Sequence, residues 1–312
     1  MKEEFDFYSK TSLKSYNLNE TMRYQLDMLD RLDGFTRTHS ENVANISCRL
    51  CENLNLNKEF TVYCTVCAYL HDIGKLFIPS NILQKPGPLT DEEYEVIKKH
   101  TTLGHKMCMS DIKLRPYSAG PLYHHESLNG SGYPKGLAKK EIPIEGQIIR
   151  VADEFDAIVS KRQYKTHIGV TDTLKLLIEE TLPTIPKSVA LKTLEENTKL
   201  GKLNAKIVRA LCKLVIEDTE YEISCIYDYI KYLKEQIERL EQIHEYNLKM
   251  EQSKSDEKKD YYKSGMELLF KQGEDAKNYK YVLEEYRTAT LKRKEIINNL
   301  FDEIKQIKKL RV

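Results

Sequence analysis

The run FTVYCTVCAYLHDIGK, residues 60–75, is apolar on every side and then ends in an adjacent imidazole and carboxylate, His71 and Asp72. A helix without a polar face belongs in the centre of a fold, covered all round by other elements. A carboxylate at the end of such a helix stays ionised only beside a cation or strong donors, because desolvation penalises its charge. This one segment therefore demands a covering shell and a compensating charge near residue 72.

The rest of the chain offers helices for that shell. Thr38 and Glu41 have capping-box spacing and predict a helix start whose apolar face runs Val43, Ile46, Leu50, Leu54. Gly74 is the expected C-terminal cap of the central helix. Thr90 and Glu93 predict a second capped start, opening a helix that runs through His100 to about Leu103. NGSGYPKG (129–136) is too rich in glycine for regular helix, whereas QIIRVADEFDAIVS (147–160) returns to helical spacing. No convincing alternating strand run is present, so the expected class is all-α.

Helical spacing places His39 on the face of Val43, Ile46 and Leu50, so its imidazole looks inward. A lone histidine on an apolar face is ordinarily a core residue with one satisfied hydrogen bond. Here His71, Asp72, His100, the adjacent His124 and His125, and Asp153 in VADEFDA follow on successive helical stretches. Imidazole with carboxylate is a ligand set for iron, manganese or zinc rather than calcium, and facing helices are an established frame for a two-metal centre. Each residue alone has a plain reading: His124 and His125 a solvated helix end, Asp153 a surface acid, Lys75 an exposed cation. Their shared inward placement favours the metal reading.

Two other features bear on function. Cys48 and Cys51, then Cys64 and Cys67, form two CxxC pairs at a separation resembling a zinc ribbon. They lie in helical stretches with no glycine for knuckle turns, so they read as small core residues. Lys and Arg (49) nearly cancel Asp and Glu (48), so no overall field exists to hold duplex nucleic acid, and any anion site is local. The first residues, MKEEFDFYSK, lack an apolar signal segment, and no run approaches a membrane span; a cytoplasmic protein is expected.

Texture changes along the chain. Residues 20–218 hold all nine prolines and seven of the eight histidines, whereas from 219 onward there is no proline and only Gly265 and Gly273. The expected organisation is an extension at 1–19, a domain at 20–218 carrying the candidate residues, and a helical extension at 219–312. That extension shows a heptad at Ile223, Ile226, Ile230, Leu233, Ile237 and Leu240, with His244 in the next slot as a polar register-setter or a partly exposed core residue. A second seam runs Ile297, Leu300, Ile304, Ile307, and the charged stretch at 251–260 reads as a turn between them. A hairpin and an intermolecular coiled coil both satisfy this pattern, so a homodimer or protein partner through 219–312 stays open.

The motifs HDIGK (71–75), ILQKPGPLTDEEYEVIKKH (82–100), HHESLNGSGYPKGL (124–137), EIPIEGQIIRVADEFDA (141–157) and SKRQYK (160–165) resemble, in order and spacing, those of HD-GYP domains of the HD phosphohydrolase superfamily. The resemblance covers roughly residues 20–215. It implies an HD-domain helical bundle that opens a cyclic dinucleotide, cyclic di-GMP above all. It implies metal ligation by His39, His71, Asp72, His100, His124, His125 and Asp153, with Asp72 bridging two divalent ions, iron or manganese. Lys75 matches the lysine beside the metals and the scissile phosphate. Gly132, Tyr133 and Pro134 match the motif that shapes the substrate pocket, and Arg162 and Lys165 match residues that hold the dinucleotide phosphates.

Departures are Leu128 for a frequent Trp, Asn129 for a frequent Asp, and Gln163 for the usual Pro. Phe35 stands where some members carry a Glu for a third metal; this favours two metals and a linear dinucleotide product. Two alternatives stand beside this reading: hydrolysis of another cyclic dinucleotide or nucleotide, and an adaptor acting through its coiled tail.

Overall fold

A computed structural model describes residues 34–159, 169–183 and 201–311 of the chain. Among these residues every regular element is helical, and a single isolated bridge, Asn129 to Ala138, is the only strand-like pairing. The helices are α1 (Gly34–Asn53), α2 (Lys58–Tyr69), α3 (Ser80–Leu83), α4 (Asp91–Lys98), α5 (His100–Ser110), α6 (Ala119–Tyr123), α7 (Ile144–Val159), α8 (Val170–Glu179), α9 (Ala205–Gln252), α10 (Asp256–Leu269) and α11 (Tyr279–Lys309). No helix among the described residues is long and apolar enough to cross a membrane. Two compact units divide the chain, with the boundary inside α9: Met1–Val215 with Lys309–Val312, and Ile216–Lys308.

In the first unit α2 is central, packed against α1, α6 and α7. Its start is fixed by Asn57, whose side chain accepts from the Phe60 amide at 2.8 Å, and its Cys64, Val66, Cys67 and Ala68 are buried. The four paired cysteines are buried free thiols on α1 and α2, consistent with packing. Thr90 caps α4 as expected, with Glu93 accepting from the Thr90 amide at 2.8 Å.

Three local expectations fail. Helix α1 is already running at Gly34, so Thr38 and Glu41 lie inside it and form no capping box. The helix opened at Thr90 does not continue: α4 stops at Lys98 and α5 begins at His100. The central helix ends at Tyr69, followed by a 3₁₀ turn at Ile73–Phe77, and Gly74 is not its cap.

In the second unit α9, α10 and α11 pack together. One cluster joins Ile223 and Ile230 of α9 to Ile297 and Ile304 of α11; another joins Leu240 and Ile243 to Met266, Tyr279 and Leu283. The chain packs its two seams against each other, as a hairpin does. Only residues 253–255 of the charged 251–260 stretch are outside helix. Ile243 takes the buried slot, and the partly exposed His244 hydrogen-bonds through Nδ1 to the Tyr279 hydroxyl at 2.9 Å.

Candidate metal centre

Four helices and one turn deliver the predicted residues to one place. Helix α1 brings His39, the turn after α2 brings His71 and Asp72, and α5 opens with His100. The end of α6 brings His124 and His125, and α7 brings Asp153. Gly74 makes the approach of the turn possible. A Cβ there would lie 1.9 Å from the His100 carbonyl oxygen and 2.5 Å from the Gly104 amide, so only glycine lets this turn lie against α5.

Asp72 sits between two groups of imidazoles. Its Oδ2 lies 3.3 Å from His71 Nε2 and 3.8 Å from His39 Nε2, while its Oδ1 lies 3.5 Å from His100 Nε2 and 4.0 Å from His124 Nε2. Asp153 joins the first group, with Oδ1 3.0 Å from His39 Nε2 and 3.9 Å from His71 Nε2. His125 joins the second: the ligand atoms of His100, His124 and His125 lie within 4.8 Å of one another, as do those of His39, His71 and Asp153.

The ring nitrogens show that this cluster fits a cation. Nδ1 of His71 bonds to the Ala68 carbonyl at 2.6 Å, that of His100 to the Ile97 carbonyl at 2.7 Å, and that of His124 to the Gly120 carbonyl at 3.0 Å. A carbonyl has no proton to give, so each Nδ1 is the donor, and each neutral ring carries its lone pair on Nε2. Yet His100 Nε2 and His124 Nε2 face each other at 3.1 Å, and the buried His71 Nε2 has no hydrogen-bond partner among the described residues. Facing lone pairs in a dry interior repel, and a cation between them removes the conflict.

Protonation follows the same lines. Burial lowers His100, holds His124 well below the usual imidazole range and pushes His125 down to about 3, so these rings stay neutral. Burial opposes ionisation of Asp72, but the Lys75 charge and the surrounding imidazoles outweigh it and hold the carboxyl well below its usual range; Lys75 Nζ donates directly to Oδ2. Asp153 is likewise held low against burial, by its hydrogen bond to His39. His39 goes the other way: burial pulls it down, but the hydrogen bonds to Asp153 and Asp156 raise it to about 9.

Sequence reasoning missed two supporting residues. Asp156 is buried and takes a hydrogen bond from His39 Nδ1 at 2.6 Å, while its other oxygen accepts from Asn42 Nδ2 at 2.9 Å. Its signal was the D-x-x-D spacing, which sets Asp156 one helical turn beyond Asp153 on the same face. Glu126, directly after the histidine pair, is buried and accepts from the Lys135 and Leu137 amides at 2.7 and 2.9 Å, closing the glycine-rich loop upon itself.

A Cβ on Gly132 would lie 2.4 Å from the Ser127 amide and 2.5 Å from the His125 carbonyl oxygen, so this glycine serves packing of the loop onto residues 125–127. Tyr133 stacks on the His125 ring, centroids 4.7 Å apart and planes at 26°, and the Tyr133–Pro134 peptide is cis. Arg162 and Lys165 lie outside the described residues.

A family model described as HD domain matches residues 8–185. The chain is 40% identical over 172 residues to a cyclic di-GMP phosphodiesterase of Thermotoga maritima, covering 53% of this chain and 47% of that one. It is 38% identical over 159 residues to the cyclic di-GMP phosphodiesterase response regulator RpfG of Xanthomonas campestris pv. campestris, covering 48% and 42%. It is 33% identical over 157 residues to the 3'3'-cGAMP-specific phosphodiesterase 1 of Vibrio cholerae, covering 49% and 36%. The chain thus spans less than half the length of each of these relatives.

Proposed function

The chain belongs to the HD domain family, and from that premise we propose that residues 20–218 form a cytoplasmic, metal-dependent phosphodiesterase that opens cyclic di-GMP to the linear dinucleotide. One observation carries the reading: the two oxygens of Asp72 face two different pairs of imidazoles. His39, His71, Asp72 and Asp153 would hold one ion, and Asp72, His100, His124 and His125 a second; iron or manganese suits such mixed donors. When bound, the pair supplies Lewis-acid polarisation of phosphoryl oxygens and a nucleophilic water at neutral pH.

The chain's own groups do the rest. The carbonyls of Ala68, Ile97 and Gly120 fix the tautomers of His71, His100 and His124, so their Nε2 lone pairs are aimed before any ligand arrives. Asp156 orients the His39 ring through Nδ1, and the ion would take the place of the proton that His39 Nε2 shares with Asp153. Lys75, part-exposed beside Asp72, donates a charged N–H toward the attacked phosphate, where negative charge grows. The loop containing Gly132, Tyr133 and Pro134 walls the pocket, held by Glu126. Arg162 grips a second phosphate in bidentate fashion and Lys165 acts as a point charge, as the motif resemblance implies. Phe35, in place of a carboxylate, leaves two ions rather than three.

Anaerobically purified, metal-loaded protein should convert cyclic di-GMP to its linear product, and Asp72→Ala should lower turnover at least about a hundredfold. Turnover that survives Asp72→Ala refutes the assigned centre. Because one relative is named for 3'3'-cGAMP, that nucleotide belongs in the same panel. Residues 219–312 serve a homodimer or partner contact in this reading; a full-length chain that sediments only as a monomer would remove the homodimer.

A further inference from the structure

Tyr133 is poorly placed to receive a nucleobase, because one face of its ring is spent on His125. Its neighbour Tyr94 is not so committed. Tyr94 is 45% exposed on α4 and meets Tyr133 edge-on, ring centroids 6.5 Å apart. Lys98 lies one helical turn further along the same face, its Nζ 4.8 Å from the Tyr94 centroid and 5.5 Å from the Tyr133 centroid. Two residues later His100 opens α5 at the metal centre. A row of rings therefore leads outward from His125 through Tyr133 to Tyr94, with an ammonium beside its outer end.

Among the described residues the one ion pair of Lys98 is with Glu95, at 2.6 Å, an exposed pair of the sort worth little in water, so a ligand can claim it. An ammonium is donor-only. Guanine offers it two acceptors, N7 and O6, on one edge, whereas adenine pairs its N7 acceptor with an N6 donor that repels an ammonium. Resting on the phosphodiesterase reading above, we infer that Tyr94 and Lys98 form a base subsite that stacks one nucleobase of the cyclic dinucleotide and favours guanine. The phosphate next to that base is then presented to the metal centre, so the subsite governs substrate affinity more than turnover.

The test compares cyclic di-GMP, cyclic di-AMP and bis(p-nitrophenyl) phosphate, a diester without a base, on the metal-loaded full chain. Tyr94→Ala should lower the ratio of kcat/KM for cyclic di-GMP to that for the base-free diester about tenfold, mainly through KM, and Tyr94→Phe should restore it. Lys98→Met should reduce the preference for cyclic di-GMP over cyclic di-AMP, also about tenfold. A ratio unmoved by Tyr94→Ala overturns the subsite, and a preference unmoved by Lys98→Met overturns its guanine selectivity. A wild-type chain that hydrolyses none of the three overturns the phosphodiesterase reading itself, and the subsite with it.

Discussion

The two units solve the problem of a helical interior in opposite ways. In the first, ionisable groups are driven inside: His71, Asp72, His100, His124 and Asp156 are each 2% exposed or less. In the second, the interior is aliphatic, built on Ile223, Ile230, Leu240, Ile243, Ile297 and Ile304. Its buried polar residues among those described, Thr219, Gln236 and Thr290, are all uncharged. Ion pairs such as Arg287 with Glu241 and Lys308 with Glu220 lie at its surface. A core of this second kind needs nothing further to be at rest. The first contains facing lone pairs and a buried carboxylate, a donor set that a cation would relieve.

That difference can be broken most forcefully by withholding metal. Chelation should abolish hydrolysis and, if ions were present at a thousandfold over their dissociation constant, remove about 4 kcal/mol of stability. Amide hydrogen exchange would show protection falling around residues 68–74 and 120–126 but holding along Ile223–Ile243; equal losses in both units would erase the contrast.

The aliphatic unit should respond instead to volume. Leu240→Ala deletes a fully buried side chain and should cost about 2–5 kcal/mol, read as faster exchange along α9 and α11. A change under about 0.5 kcal/mol would mean that this cluster is not a tight core.

The smallest effect is electrostatic. Arg239 makes a bidentate pair with Glu274, at 2.6 and 2.7 Å. The Arg239 hydrogen bond holds the Glu274 carboxyl below its ordinary range. As pH falls, the unfolded chain therefore binds the proton first. The pair's contribution is complete above the ordinary glutamate value, about 4.3, and is lost as pH drops through the lowered folded one. A double-mutant cycle with Arg239→Met and Glu274→Gln should give a coupling of about 1 kcal/mol near neutral pH that vanishes in acid. A coupling independent of pH would assign the effect to packing.

Much of the site was legible because each ligand type is rare on an apolar background. His39 was readable from its face, His71 and Asp72 from the helix that ends in them, and Asp153 from an otherwise apolar stretch. The loop at 129–136 was readable from its glycines. Supporting residues were less visible. Asp156 looks like any helix acid until His39 is found 2.6 Å away, and Glu126 until the amides of residues 135 and 137 are seen to close on it. Thr38 and Glu41 misled, because capping-box spacing inside a continuing helix is indistinguishable from the same spacing at a start. His244 is partly exposed, one of the two readings its slot allowed, because Met266 of α10 adds a third wall and Ile243 faces it.

Sequence by itself determined the all-helical class, the two textures of the chain and the identity of the residues that meet in the candidate metal centre. These follow from local periodicity and from the cost of burying a charge, which act wherever the chain goes. Tertiary structure alone decided which nitrogen of each imidazole carries the proton, which oxygen of Asp72 faces which ring, and which glycine is needed for close packing. Those depend on partners distant in sequence, such as His39 and Asp156 or Gly74 and His100, and spacing along one strand of text contains no record of who lies across the gap.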